Sequence, residues 1–366
     1  MCILIMKKII TVSICVLLVA TTNTNTFAQG CVAIRSTGGI CPLEAHNASD
    51  SSGWSMSINN RYFKSYKHYV GKDEQKYRVD SGSNVINHAY TMDIAVTKRF
   101  NNRWSLQIDV PIIANTRSSL YEHDGKNRYN TEAFGIGDIR FTGYYWLFDP
   151  VKSMKGNIQV GLGIKLPSGT YNYQDYFHNT DTTTVLGPVD QSIQPGDGGT
   201  GFTTEVNAFY NFSHRLGVYG NFFYLFNPRE QNGVSTGRGR AVSSTATKYH
   251  TDVMSVADQY LFRAGANYTI NSLTASAGVR YERLPAKDVF GGDLGFRRPG
   301  FIFSVEPGLT YTVKRTSIYA FVPVAIVRDR IQSVSDMQRS ADTGTKVQGD
   351  AAFADYTVNI GVYFRL

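Results

Sequence analysis

Apolar and polar residues alternate along many short stretches of this chain. In "DYTVNIGVYFRL" (355–366), Tyr356, Val358, Ile360, Val362, Phe364 and Leu366 are apolar, with Thr357, Asn359, Gly361, Tyr363 and Arg365 between them. "NIQVGLGIKLP" sets Ile158, Val160, Leu162, Ile164 and Leu166 against Gln159, Gly161, Gly163 and Lys165. "WSLQIDVPI" and "LTASAGVRYE", beginning at Trp104 and Leu273, repeat the pattern. A period of two is that of a strand with two unlike faces. About twelve such strands are predicted, at 53–65, 89–100, 103–115, 136–148, 156–168, 201–212, 215–227, 257–270, 272–284, 300–313, 316–328 and 354–366.

The connections alternate in length. Short ones follow Phe100, Phe148 and Phe212 and lie at Asn271 and Lys314; long ones fill 66–88, 116–135, 169–200, 228–256, 285–299 and 329–353. All tight turns then lie at one end of the sheet and all long loops at the other. The pattern predicts an all-β fold, a transmembrane antiparallel up-and-down β-barrel with short periplasmic turns and long extracellular loops. Each strand is long enough to cross a bilayer core when tilted. The terminal strand is expected to close the barrel against the first, since lipid tolerates no open edge. Its alternating apolar residues and near-terminal aromatic resemble the signal read by the barrel assembly machinery, although Leu366 stands where a final Phe is usual.

Composition agrees with strands. There are 23 Tyr, 21 Phe and 34 Gly, and only 18% of residues are charged, a low share for a soluble helical enzyme. Residues 1–28 read as a signal peptide: Lys7 and Lys8 precede an apolar run from Ile9 to Ala20, too short to span a membrane as a helix. Its removal takes two charges from the net +8, leaving +6. The remaining Lys and Arg are scattered, which argues against nucleic acid as a partner. Residues 29–52 are expected to form a periplasmic or plug-like segment ahead of the barrel at 53–366. Cys31 and Cys41 in that segment are a disulfide candidate, with lipidation of Cys31 the alternative. No metal site or cofactor is predicted, since His46 alone does not complete a ligand set.

If the apolar face meets lipid, its alternates face the lumen. Asp93, Asp109, Asp138, Arg140, Lys165, Glu205, Arg263, Arg280, Glu282 and Glu306 are the pore-lining candidates. A charge at the bilayer midplane would cost about 2–4 kcal/mol for Arg or Lys, so these must point inward. They form either a salt-bridge network that stiffens or plugs the barrel, or a polar wall for a permeating solute. Pro307 and Pro323 predict either a bulge that kinks the wall or accommodations near a rim. Aromatics at predicted strand ends, among them Trp54, Phe100, Trp104, Phe148 and Phe212, suit an interfacial girdle.

Signals for catalysis are negative. "GIGDIR" lacks the third glycine of a dinucleotide fingerprint, and no HExxH, GxSxG or His-x-Ser occurs. An enzyme is not expected; an outer-membrane hydrolase is the third reading.

Two stretches resemble a known family. "FGIGDIRFTGYYWL" (134–147) and "VGLGIKLPSGTYN" (160–172) are similar to the outer-membrane family named for the MetA pathway of phenol degradation. There, Gly-x-Gly-Asp opens one strand, here Gly135, Gly137 and Asp138, and the next ends in Lys-x-Pro-[Thr/Ser]-Gly, here Lys165, Pro167, Ser168 and Gly169. The resemblance implies an outer-membrane transporter; the inward positions of Asp138 and Lys165 suggest a lumenal ion pair. A looser likeness to fatty-acid and aromatic-hydrocarbon channels implies an N-terminal plug. The expected role is passive uptake of a small organic solute, hydrophobic or aromatic, in contact with outer-membrane lipid and lipopolysaccharide. The alternative is a closed structural or surface-interaction barrel.

Overall fold

The computed structural model describes residues 53–366. The expected signal peptide, the plug-like segment and the Cys31–Cys41 pair lie outside the described residues.

Twelve strands close into one antiparallel barrel. They are β1 (Gly53–Ser65), β2 (Ile86–Arg99), β3 (Trp104–Ser119), β4 (Tyr129–Ile136 continuing as Arg140–Trp146), β5 (Gly156–Lys165), β6 (Gly201–Asn211), β7 (Leu216–Phe226), β8 (Gln259–Ile270), β9 (Leu273–Leu284), β10 (Gly300–Val313), β11 (Thr316–Phe321 continuing as Val324–Asp329) and β12 (Val358–Arg365). Each pairs with its sequence neighbours, and β12 pairs with β1 from Ser55↔Arg365 to Tyr62↔Val358, so no edge remains in the wall.

Exposure is inverted relative to a soluble fold. Outward Leu162 is 65% exposed and Ile360 50%, whereas inward Asp109 is 4% and Glu306 1% exposed. An apolar exterior with buried charges needs a hydrocarbon solvent around it, so the outer wall is a lipid-facing belt. Trp54, Phe100, Trp104, Phe148, Phe212 and Tyr268 are exposed at the short-turn end, where Lys98 sits over the Trp54 ring at 4.9 Å. Amphipathic rings of this kind settle at headgroup level.

Two expectations change. β3 runs on to Ser119 and pairs with Tyr129–Ile136, so the predicted loop 116–135 is largely a two-stranded extension of the wall. Alternation there was masked by polar residues such as Thr116, Arg117, Ser118, Asn130 and Glu132. Pro307 and Pro323 are not at a rim. They sit midway along β10 and β11, where the Val322 N–H donates to Pro307 O; the ladder's register shift lies between Phe303 and Ser304. A proline cannot donate to the ladder, and the strand is interrupted at Val322–Pro323.

The long connections also carry structure. Gln174–His178 pairs with Thr184–Pro188, Gln231–Ser235 with Val253–Ser255, and Lys67–Val70 with Ala351–Phe353. Helix α1 (Val334–Thr343) begins with a capping box, Ser333 accepting from the Asp336 N–H and Asp336 accepting from the Ser333 N–H.

Inside the closing seam, Gly361 lies opposite Tyr319 in register and beneath its ring. A Cβ there would collide with the ring. We expect Gly361→Val to overpack this contact and lower stability by about 1–3 kcal/mol, read as a fall in the urea midpoint of the barrel in detergent micelles.

Candidate functional site

The lumen is built by inward positions on every strand. All ten sequence-predicted residues turn into it, and the structure sorts nine of them into three groups. On β8, β9 and β10, Arg263 Nε donates to Glu306 Oε1 at 2.8 Å, Arg280 Nη1 lies 3.4 Å from Glu306 Oε2, and Arg280 Nη2 donates to Glu282 Oε1 at 2.9 Å. On β3, β4 and β6, Arg140 pairs with Asp109, and the Tyr144 hydroxyl donates to Glu205 Oε2 at 2.7 Å. Near the long-loop end, Lys165 lies 3.7 Å from Asp138 and also pairs with Asp197. Asp138 sits in the break between the two halves of β4, where its carboxylate accepts from the Gly169 and Asp197 N–H groups, each at 3.0 Å. It thereby ties the loop after β5 to the wall. Gly169 and Gly196 meet backbone to backbone beside it, and a Cβ on Gly169 would come within 2.9 Å of Gly137 and Gly196.

Asp93, on β2, belongs to none of these pairs. It is 3% exposed, with Asn59, Arg61 and Arg140 as its neighbours of opposite or complementary polarity.

Two cavities occupy the lumen. The upper, about 150 Å³, has walls of Phe63, Ala89, Ile113 and Leu225 and a roof from the loops, including Gln194, Asp197, Met254 and Arg298. The lower, about 40 Å³, is lined by Ser57, Asn59, Gln107, Asn207 and Asn221 among others. Asp93 and Arg140 line both, so they form the layer between them.

The roof is held by an ionic knot that sequence reasoning missed. Arg117, at the top of β3, grips Glu122 through two nitrogens at 2.8 and 2.9 Å and lies 3.4 Å from Asp190. Asp190 receives Arg298 at 2.6 Å, and Arg238 reaches Glu122 at 2.6 Å and Asp190 at 3.5 Å. Four connections thus meet in one cluster. Loop sequences have no period to betray such contacts. Arg61 and Tyr144 were missed too, although Tyr144 shares the inward parity of the predicted Arg140 in its own strand.

The charge states in the roof follow from burial against partners. Burial opposes the Asp190 charge, but Arg117, Arg298 and Arg238 outweigh it and hold the carboxyl well below the usual carboxylate range. Asp288, 2.9 Å from Arg297, goes the other way: burial pushes its carboxyl up to about 6 against the pull of Arg297. A depressed carboxyl stabilises above its unfolded pKa and loses this as pH falls; a raised one stabilises below it and loses this as pH rises through the folded value.

A scan against protein-family models finds none that matches this chain, and no curated protein sequence matches it. Solved structures do. The COG4313 outer membrane channel from Pseudomonas putida F1 superposes with a TM-score of 0.56 at 9% identity, covering 91% of this chain and 100% of that one. This likeness is one of fold. The CymD monoaromatic hydrocarbon channel and the toluene transporter TodX of P. putida each reach a TM-score of 0.39, at 9% and 10% identity. CymD covers 93% of this chain and 98% of its own, TodX 88% and 92%. At that level of superposition they carry no argument.

Two outcomes are expected. Glu306→Gln leaves Arg263 and Arg280 without their shared anion, which should cost about 3–5 kcal/mol in urea unfolding of the micellar barrel. Amide protection of residues 190–194 should stay flat from about pH 8 to 5 and fall only below about pH 4. Around Val289, beside Asp288, it should instead rise as pH drops through about 6.

Proposed function

We propose that this chain is an outer-membrane channel for passive uptake of a small organic solute. One observation carries the reading: an inverted barrel encloses a roofed chamber in which Phe63, Ile113 and Leu225 stand among polar and charged groups such as Asn87, Asn115 and Arg140. Concave sites that join apolar side chains to fixed polar groups are how small molecules are generally held. The short-turn end would face the periplasm and the knotted loops the exterior, as in barrels of this class. Export by the leader at 1–28, contact with lipopolysaccharide and insertion by the barrel assembly machinery belong to the same proposal. So does membership of the MetA-pathway family, which rests on the hairpin of Gly135, Gly137, Asp138, Lys165, Pro167, Ser168 and Gly169. Its residues are tied together here through Asp138 and the Gly169 N–H. The solute is taken to be hydrophobic or aromatic, which suits the Phe63, Ile113 and Leu225 wall.

The network of Arg263, Glu306, Arg280 and Glu282 favours a second reading, a barrel sealed by its own ion pairs that serves structure or surface contact.

Single-channel recording separates the two. The mature chain, residues 29–366, refolded into a planar bilayer should give discrete conductance steps, and removal of residues 29–52 should enlarge them if that segment is a plug. Silence from both forms would hand the argument to the sealed barrel.

A further inference from the structure

We propose that the outer wall carries a site for one anionic phospholipid: a hollow across β5, β6 and β7 at the short-turn end takes an acyl chain, and Lys152 and Lys155 at its mouth receive the phosphate. The inference rests on the short turns facing the periplasmic leaflet, and not on whether the lumen conducts.

The hollow has a volume of about 590 Å³, within the range of about 300–1,000 Å³ common among small-molecule pockets. Its bed comes from outward positions on three neighbouring strands. On β5 these are Gly156 and Ile158, which share the parity of exposed Leu162; on β6 they are Ala208 and Tyr210, and on β7 Val218 and Gly220. Ala208 pairs in register with Ile158 on one side and Gly220 on the other. One outward step farther from the short turns the facing pair is Val206 and Phe222, and one step nearer it is Tyr210 and Val218. Ala208 and Gly220 therefore leave a trough between larger neighbours. The Tyr210 ring leans over Gly156, where a Cβ would come within 2.8 Å of it.

Depth and charge name the occupant. The trough starts beside Phe148, Tyr210 and Phe212, exposed rings of the kind that settle at headgroup level. Above that level its surroundings are hydrocarbon, so the body it receives is an acyl chain. Lys152 and Lys155 lie in the connection between β4 and β5, both exposed, and Lys155 Nζ sits over the Tyr210 ring at 5.4 Å. Neither lysine has an acidic partner among the described residues. The acid of the same turn, Asp149, accepts from the Val151 N–H at 3.0 Å. The mouth of an apolar trough is thus positive, and lysines with long apolar stems can keep their heads among phosphates while the stems cover the wall. Basic pockets at that depth suit lipid head groups. Lipopolysaccharide also carries phosphate, but in the outer leaflet, at the far end of the strands. The short-turn leaflet offers phosphate as phospholipid.

The test is native mass spectrometry of the mature chain, residues 29–366, released from detergent micelles with phosphatidylglycerol or phosphatidylcholine of equal chain length. One phosphatidylglycerol should be retained in preference to phosphatidylcholine. Lys152→Gln combined with Lys155→Gln should weaken its binding by about tenfold or more and erase the preference. Lys98→Gln removes a cation of the same girdle, beside Trp54 and away from the trough, and should change nothing. Gly220→Phe should fill the trough and abolish retention with both lysines intact. A Cβ at Gly220 would meet nothing nearer than 3.8 Å, so the wall should still close; the lysine pair keeps the test standing if it does not. Equal retention of the two lipids, an equal loss in Lys98→Gln, or undiminished binding by Gly220→Phe would each reduce the lipid to part of the general belt and overturn the inference. Displacement by inorganic phosphate alone would leave only an ion site, and stronger retention of lipopolysaccharide would name the wrong leaflet; either overturns it. Silence in the planar bilayer would remove the channel reading and leave this site in place.

Discussion

Hydrocarbon cannot hydrogen-bond to a peptide group, and the rest of the molecule follows from that one constraint. Every N–H and C=O in the wall must find its partner in the next strand, and the last strand must find the first. The ladder between β12 and β1 meets that demand over eight register pairs. Once the wall is closed, side chains have only two directions. Apolar residues take the outward one, and whatever polarity the chain carries goes inside.

The interior is accordingly charged, and charge inside a narrow lumen has to be answered. Most of it is answered locally, by groups on the same strand or the next: Arg280 by Glu282 two residues away, Arg140 by Asp109 across the β3–β4 ladder. Such pairs are weak evidence of net stability, because desolvation offsets much of their attraction, but breaking one is costly. They also make register unforgiving. A slip of one residue would carry Asp109, Arg263 or Glu306 to the lipid face while bringing leucines and isoleucines into the lumen.

The parts of the structure under this constraint were legible in the sequence. Strands such as Gly300–Val313 and Gly53–Ser65 fall where alternation put them, because each alternating residue reports the solvent it faces. Legibility ends where lipid ends. The extension of β3 and β4 was read as a loop since polar residues such as Thr116, Arg117, Ser118, Asn130 and Glu132 dominate it, and the knot of Arg117, Glu122, Asp190, Arg238 and Arg298 joins residues from separate loops that no period connects. Within the lumen the ten charged candidates were visible by parity, but their cross-strand neighbours were not. Asp93 finds its neighbours, Asn59 and Pro111, through pairing on either side of β2, which no period within one strand displays.

The knot in the roof has a consequence for time rather than for shape. Its arginines come from the top of β3 and from the connections after β7 and β9, and they converge on carboxylates that belong to two further turns of chain. No one loop can lift without stranding a partner from another. The roof therefore acts as a single latch that releases all at once and seldom. If the chain is the channel proposed above, the dwell time of a solute beneath the roof follows the waiting time of that latch, and retention becomes a property of the loops.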